Sequence, residues 1–374
     1  MKQFLGIEDD HLKEINSYWT AREIAQQPTV WAETAKMVED QRDKLDDWLL
    51  PVLKIDGLQI ILTGAGTSSF LGETLAPWLR TKMANRVDSV STTDIVGHPE
   101  ECFANRSMST LLVSFARSGD SPESVASVEL ADQFLDNVYH LVVTCNSAGQ
   151  LAKLSAKSDN AFCLLMPERT NDVSFAMTSS FTSMLVACAT VFCPDAKKLQ
   201  VAISAVERIL TDDLELIKSI ASLSIDRLVF LGSGSLNGTA QEAALKCLEL
   251  TAGKIVSYSN TPLGFRHGPK FVINTETMVF VMESSSPYSK KYDGDLLNEI
   301  TVDGCARKIV TLSAEKFGLE DGMLGDLWLS LPCIVFCQIF ALQSAMRLNV
   351  PGDNPSPTGE VNRVVSGVKI YGYH

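Results

Sequence analysis

Short apolar runs alternate with longer amphipathic stretches through most of the chain. Leu58–Thr63, Leu111–Phe115 and Val138–Thr144 are continuous runs of aliphatic and β-branched residues, the pattern of parallel strands buried on both faces. Residues 121–136 between the last two read as a helix, opened by Ser121 with Pro122 at its first position. Residues 239–252 (TAQEAALKCLELTA) predict another helix, with an apolar face of Ala240, Ala243, Ala244, Cys247 and Leu248. The segment up to about Leu50 is helical in pattern and broken at Pro28. Ile334–Met346 is the longest apolar stretch, interrupted by Gln338, Gln343 and Ser344. It is too short and too polar to span a bilayer, and predicts a buried helix. After Val350 comes PGDNPSPTG, a tether, and then VNRVVSGVKIYGYH, a short strand or docked tail.

The pattern repeats. LQIILTGAGTSS (58–69) matches DRLVFLGSGSLN (226–237), each an apolar run, a G-x-G and a polar residue opening a helix. Gly64 and Gly66 correspond to Gly232 and Gly234, 168 residues on. The same offset lays LLVSFARS (111–118) on VFVMESSS (279–286) and, within one residue, HLVVTC (140–145) beside KIVTLS (308–313). Three strands recurring in order at one spacing predict an α/β chain of two tandem, doubly wound parallel-sheet domains. The expected division is a helical N-terminal extension (1–50), a first domain (51–200), a second (201–350) and a tail (351–374). In such domains ligands bind beyond the carboxyl ends of the strands.

Composition narrows the partners. A chain of 374 residues, 45% apolar and 21% charged, is globular and large enough for two cores. A net charge of −13 opposes nucleic-acid binding, which wants a basic stripe, but not a local anion site built from backbone and hydroxyl donors. The nine cysteines are scattered singly, with no CxxC spacing, and predict buried free thiols in the reducing cytoplasm. The five histidines form no HxH or HExxH arrangement, so no metal site is expected. The N-terminus, MKQFLGIEDDHLKE, turns acidic too early for a signal peptide.

Two loops of the first copy carry anion chemistry. In TGAGTSSF, Gly64 and Gly66 permit a tight turn from strand to helix, and Thr67, Ser68 and Ser69 open the helix with hydroxyls and unpaired N–H groups. In ARSGDSPES, Arg117, Ser118 and Ser121 again stand where a strand gives way to a helix. Two hydroxyl-rich helix starts after adjacent parallel strands can converge on one phosphate. Ser69 stands where a dinucleotide fingerprint needs its third glycine, and no GK[ST] occurs.

These GAGTSS and SGDSPES loops resemble those of the sugar isomerase (SIS) domain. From about residue 50 to 350 the repeat resembles the tandem pair in the isomerase half of glucosamine-6-phosphate synthase. That resemblance implies a phosphate held by Ser68, Arg117, Ser118 and Ser121, with Gly66, Thr67, Ser69 and Thr178 in the same substrate-binding set. The chain departs from the family's S-Q-S-G-E-T loop at Ala116, for the first serine, and at Arg117, for the glutamine; an arginine suits phosphate through charge-assisted bonds.

In the second copy Glu242, Lys246 and Glu249 fall at i, i+4 and i+7 on one side of the predicted helix, which on its own describes a solvated face with Glu–Lys pairs. The stretch QEAALKCLELTAGKIVSYSNTPLGFRHGPK, however, resembles the E-G-A-L-K-L-K-E … L-K-H-G-P segment of the same family. The resemblance implies catalytic roles for Glu249, moving protons between C1 and C2, for His267, assisting ring opening, and for Lys246 between the two glutamates. Aldose–ketose interconversion needs one carboxylate that takes a proton from C2 and returns it at C1, and an imidazole suits ring opening. The family's C-terminal catalytic lysine has no counterpart: Val365 falls there, and neither Arg363 nor Lys369 is in register. Residue 2 is Lys and no N-terminal cysteine nucleophile is present, so ammonia from glutamine is not expected.

Among stand-alone tandem members, the length, the N-terminal extension and the FRHGPK loop resemble the galactosamine-6-phosphate deaminase/isomerase group. That implies conversion of galactosamine 6-phosphate to tagatose 6-phosphate and ammonia without metal or redox cofactor, and a homodimer or larger assembly sharing its active sites through His267. Plain tagatose-6-phosphate ketose/aldose isomerisation is the alternative. A sugar-phosphate-sensing repressor would need a basic DNA-binding segment, where this chain has Asp9, Asp10, Glu39, Asp40, Asp43, Asp46 and Asp47.

Overall fold

The computed structural model describes residues 3–365 and 367–373. The N-terminus departs from the helical expectation at once: β1 (Gln3–Phe4) and β2 (Ile7–Glu8) form a hairpin. Its turn residues Leu5 and Gly6 have φ of 53° and 73°, as a tight primed turn demands. Helices Asp9–Glu14 and Tyr18–Ala25 follow. Pro28 then lies in the first turn of the helix Gln27–Asp40, where its missing N–H costs nothing, so the break falls at Gln26.

The first large sheet is wholly parallel. It comprises β3 (Gln59–Thr63), β4 (Arg86–Ser89), β5 (Thr110–Ala116), β6 (Val138–Thr144) and β7 (Ala161–Leu165), in the order β4-β3-β5-β6-β7. Every residue of β5 is buried, as its unbroken apolar run requires. Ile61, Leu112 and Val142 pack with Val128, Ala131 and Phe134 of the helix Pro122–Phe134. The helices Thr67–Leu79 and Ser179–Phe192 contact each other and, respectively, β3 and β6.

The second sheet, also parallel, comprises β8 (Arg227–Leu231), β9 (Val256–Asn260), β10 (Thr277–Met282) and β11 (Lys308–Leu312), in the order β11-β10-β8-β9. It reproduces β6-β5-β3-β4 of the first sheet and, among the described residues, has no counterpart of β7. Phe230 stacks on Phe280 with ring centroids 4.9 Å apart, and Phe280 meets Phe340 edge-on at 4.9 Å. Phe340 belongs to the helix Asp326–Arg347, which packs against the helix Ser235–Leu250. That long helix is apolar enough to cross a membrane, yet 89% of its most apolar window is buried in the protein. It starts earlier than the apolar stretch suggested and carries Pro332 inside it.

The chain divides into two compact units that are not contiguous in sequence. One holds the first sheet: residues 30–172, 179–194 and 359–374. The other holds the second sheet: residues 1–29, 173–178 and 195–358. Within the second-sheet unit the N-terminal segment is tied in by buried polar bonds. Asp353 accepts from Thr20 N at 2.8 Å and Thr20 Oγ1 at 2.9 Å, and Gln27 Nε2 donates to Gln338 Oε1 at 2.7 Å. In the first-sheet unit the described residues of the tail form no strand, but dock: Gln133 Nε2 donates to Tyr373 O at 3.2 Å, and the Tyr373 ring meets Phe134 at 4.8 Å.

Candidate active site

The two G-x-G turns share one backbone geometry. Gly66 has φ 54° and ψ −125°, and Gly234 has φ 56° and ψ −128°. A Cβ on Gly64 would lie 2.5 Å from the Ser68 backbone, and one on Gly232 would lie 2.4 Å from the Leu236 carbonyl oxygen. Both turns therefore require glycine. In the first copy the turn opens the helix Thr67–Leu79 at the carboxyl end of β3, with Thr67 and Ser68 buried and Ser69 half-buried. The amides differ from expectation. Ser68 N donates to Ala65 O at 3.1 Å and Ser69 N to Gly66 O at 2.8 Å, because the turn tightens on itself. The donors these two residues can offer an anion are their hydroxyls.

The second loop leaves the same end of the neighbouring strand, since β3 and β5 pair in parallel with Thr63 opposite Ser114. Ser118 Oγ accepts from Asp120 N at 3.3 Å, and Ser118 O accepts from Asn146 Nδ2 at 2.8 Å. Ser121 is the N-cap of the helix Pro122–Phe134, with its hydroxyl donating to Ser124 Oγ at 2.6 Å. Ser68, Ser69, Ser118 and Ser121 thus gather at one end of two adjacent strands. Arg117 is buried, and its Nη2 donates to the carbonyl of Arg363 in the tail at 2.6 Å. Arg363 in turn donates to the Asp172 carbonyl. Thr178 is buried, directly precedes the helix Ser179–Phe192 and groups with the second-sheet unit.

The helix Ser235–Leu250 carries the second cluster. Lys246 is completely buried, with its Nζ 2.5 Å from Glu249 Oε2 and 3.5 Å from Glu242 Oε1. Glu242 is likewise buried, whereas the Glu249 side chain keeps 23% exposure. This is no solvated face. A desolvated ammonium set between two carboxylates is stable only as a group, and Glu249 is the member open to solvent. Cys247, on the same helix, has its thiol pushed up by burial, as does Cys145, to about 12; all nine cysteines are unpaired.

His267 sits on a different element. The helix Pro262–Phe265, capped by Thr261 Oγ1 accepting from Gly264 N at 3.1 Å, leads into it, and Gly268 at φ 117° turns the chain away. His267 is exposed, and no hydrogen bond or ion pair joins it to Glu249 among the described residues. Four residues on, Phe271 is 96% exposed. It borders a hollow of about 260 Å³ lined by Arg266, Lys270, Ile273 and Ile300.

Two features went unread in the sequence: the Arg117–Arg363 bond, which has no local signal, and Asp326, which accepts from Ser284 and Ser285. Asp326 does have a signal, an acid directly after Gly325 at the head of an apolar run.

The SIS domain matches residues 55–193. A protein of Shewanella sp. (strain ANA-3), D-galactosamine-6-phosphate deaminase AgaS, is 47% identical over 365 residues, covering 97% of this chain and 94% of its own. The chain belongs to the SIS-domain family. The Escherichia coli D-galactosamine-6-phosphate deaminase AgaS is 42% identical to this SIS protein over 370 residues, covering 94% of this chain and 95% of its own. A solved structure of tagatose-6-phosphate ketose/aldose isomerase from Escherichia coli superposes with a TM-score of 0.86 at 40% identity, covering 95% of this chain and 96% of that one.

Proposed function

We propose that this SIS protein is a cytoplasmic deaminating isomerase that converts galactosamine 6-phosphate and water to tagatose 6-phosphate and ammonia. The observation that carries the mechanism is the partly exposed Glu249 held by a buried Lys246, in a chain with near-full-length likeness to AgaS deaminases. The two sheets are read as tandem SIS domains with different tasks. The first-copy hydroxyls of Ser68, Ser118 and Ser121 take the phosphate. Glu249 removes the C2 proton of the open-chain amino aldose and returns it at C1. The resulting 2-imine adds water, the C–N bond breaks, and ammonia leaves with the ketose. Lys246 orients the Glu249 carboxylate, and His267 moves the proton that opens the ring.

His267 and Phe271 are both exposed in the single chain, which supports a homodimer in which this loop meets a second copy. Nine unpaired cysteines support a reducing compartment. The likeness to the tagatose-6-phosphate isomerase structure favours a second reading, isomerisation without loss of nitrogen.

Ammonia measured alongside ketose decides between the two readings. Galactosamine 6-phosphate should yield equal amounts of both, faster than glucosamine 6-phosphate. Interconversion of tagatose 6-phosphate with its aldose, with no ammonia from either amino sugar, would replace deamination by plain isomerisation.

A further inference from the structure

The loop after β10 occupies in the second repeat the place of the Ser118 loop in the first, with Ser284, Ser285 and Ser286 at the positions of Ala116, Arg117 and Ser118. Its donors are already turned onto an anion. Ser284 Oγ donates to one oxygen of Asp326 at 2.6 Å. Ser285 N and Ser285 Oγ both donate to the other at 2.7 Å. Asp326 begins the helix Asp326–Arg347, yet its carboxylate reaches across to a loop 41 residues earlier in the chain. A backbone amide and two hydroxyls closing on both oxygens of one carboxylate is how a bound anion is held.

The geometry points to a retained oxyanion site in the second repeat, kept filled by the protein's own Asp326 carboxylate and shaped for a small monoanionic carboxylate. The charges around it set that limit. Asp293 accepts from Ser284 N at 2.9 Å and, with Glu283, places negative charge beside the site. Lys290 stands 3.4 Å from Glu283 and 2.7 Å from Asp321, so its charge is shared between two acids. A phosphate dianion meets net repulsion here, whereas a single negative charge is matched by the three donors. One chain with two homologous loops therefore presents one of them to a substrate phosphate. The other is closed by an internal ligand.

Asp326→Ala removes a group the size of formate and leaves the donors in place. In chloride at pH 7 this variant should melt several degrees below the wild type. Formate at equal ionic strength should restore at least half of that loss with a saturable dependence, while leaving the wild type unmoved. Saturation-transfer NMR with 13C-formate should show binding to Asp326→Ala and none to the wild type. Asp326→Asn, which keeps the site filled, should show neither rescue nor binding. If Asp326→Ala does not fold in chloride, folding regained in formate, followed by circular dichroism, is the same positive result. Wild-type stability in Asp326→Ala, or a loss that formate cannot distinguish from chloride, overturns the assignment. No readout depends on turnover, so the outcome is separate from that of the proposed reaction.

Discussion

Lys246 Nζ lies between two carboxylates of its own helix, 2.5 Å from the partly open Glu249 and 3.5 Å from the closed Glu242. The pair is asymmetric in exposure, and that separates the roles of the two acids. On the proposed reading Glu249, the exposed one, meets the substrate carbon. Replacement by Gln keeps its size and removes the base, so kcat should fall by about 10²–10⁴-fold. Some stability should go with it, since the buried Lys246 is left with Glu242 as its charged partner, so the chemical loss is read on protein shown to be folded. Exchange of solvent deuterium into substrate C2 should vanish with turnover. Exchange persisting at the wild-type rate in Glu249→Gln would assign the proton transfer to another group.

Lys246→Met strands the buried Glu242 without its cation, and a broken buried pair costs about 3–5 kcal/mol. Chemical denaturation should show a loss of that order. The double variant Glu242→Leu/Lys246→Met removes both charges and should regain most of it. A double variant no more stable than the single one would show that the pair is not what holds this helix face.

Asp293 gives the stability a pH signature. Burial, opposed by the bond from Ser284 N, raises its carboxyl from 3.8 to about 6. Between those values the folded protein keeps a proton that the unfolded chain has released. The stability this confers is therefore complete below about pH 4 and is lost as the pH rises through 6. Asp293→Asn can still accept from Ser284 N without carrying charge. It should exceed the wild type above pH 6 by at most about 3 kcal/mol, with the difference shrinking towards pH 4. A difference that is flat between pH 4 and 7 would place the titration elsewhere.

Phe271, 96% exposed and four residues after His267, is on the proposed reading the side chain a second copy would cover. Phe271→Asp should shift the sedimentation coefficient towards the monomer and lower kcat in parallel, with the melting of each chain little affected, because an exposed ring contributes little to its own fold. An unchanged assembly would leave His267 acting within its own chain.

Most of the scaffold was legible in the sequence because it rests on local rules. Unbroken apolar runs placed β3, β5 and β6 to within a residue or so, and the 168-residue offset paired β3 with β8 and Gly66 with Gly234. The Glu242–Lys246–Glu249 spacing gave one helix side, but not its burial, which comes from tertiary packing around that helix, by the helix Asp326–Arg347, β8 and β9. The side chains that reach far along the chain were not legible. Arg117 could be singled out by position, but the bond from its Nη2 to a carbonyl 246 residues away has no local signal. The N-terminal hairpin was read as helix because strands of two residues carry no periodicity.

The grouping of residues 1–29 with the second sheet bears on how the protein is made. Thr20 and Gln27 find long-range partners at Asp353 and Gln338, so a segment made more than 300 residues earlier is completed late. At roughly 5–20 residues per second, this opening stretch waits on the order of 15–70 s before its binding surface exists. Meanwhile the intervening first-sheet residues, 30–172, can already collapse around their own core. Removing the helix Tyr18–Ala25 would therefore strip Asp353 of its bonds from Thr20 and open the second-sheet unit where that helix packs on Asp326–Arg347.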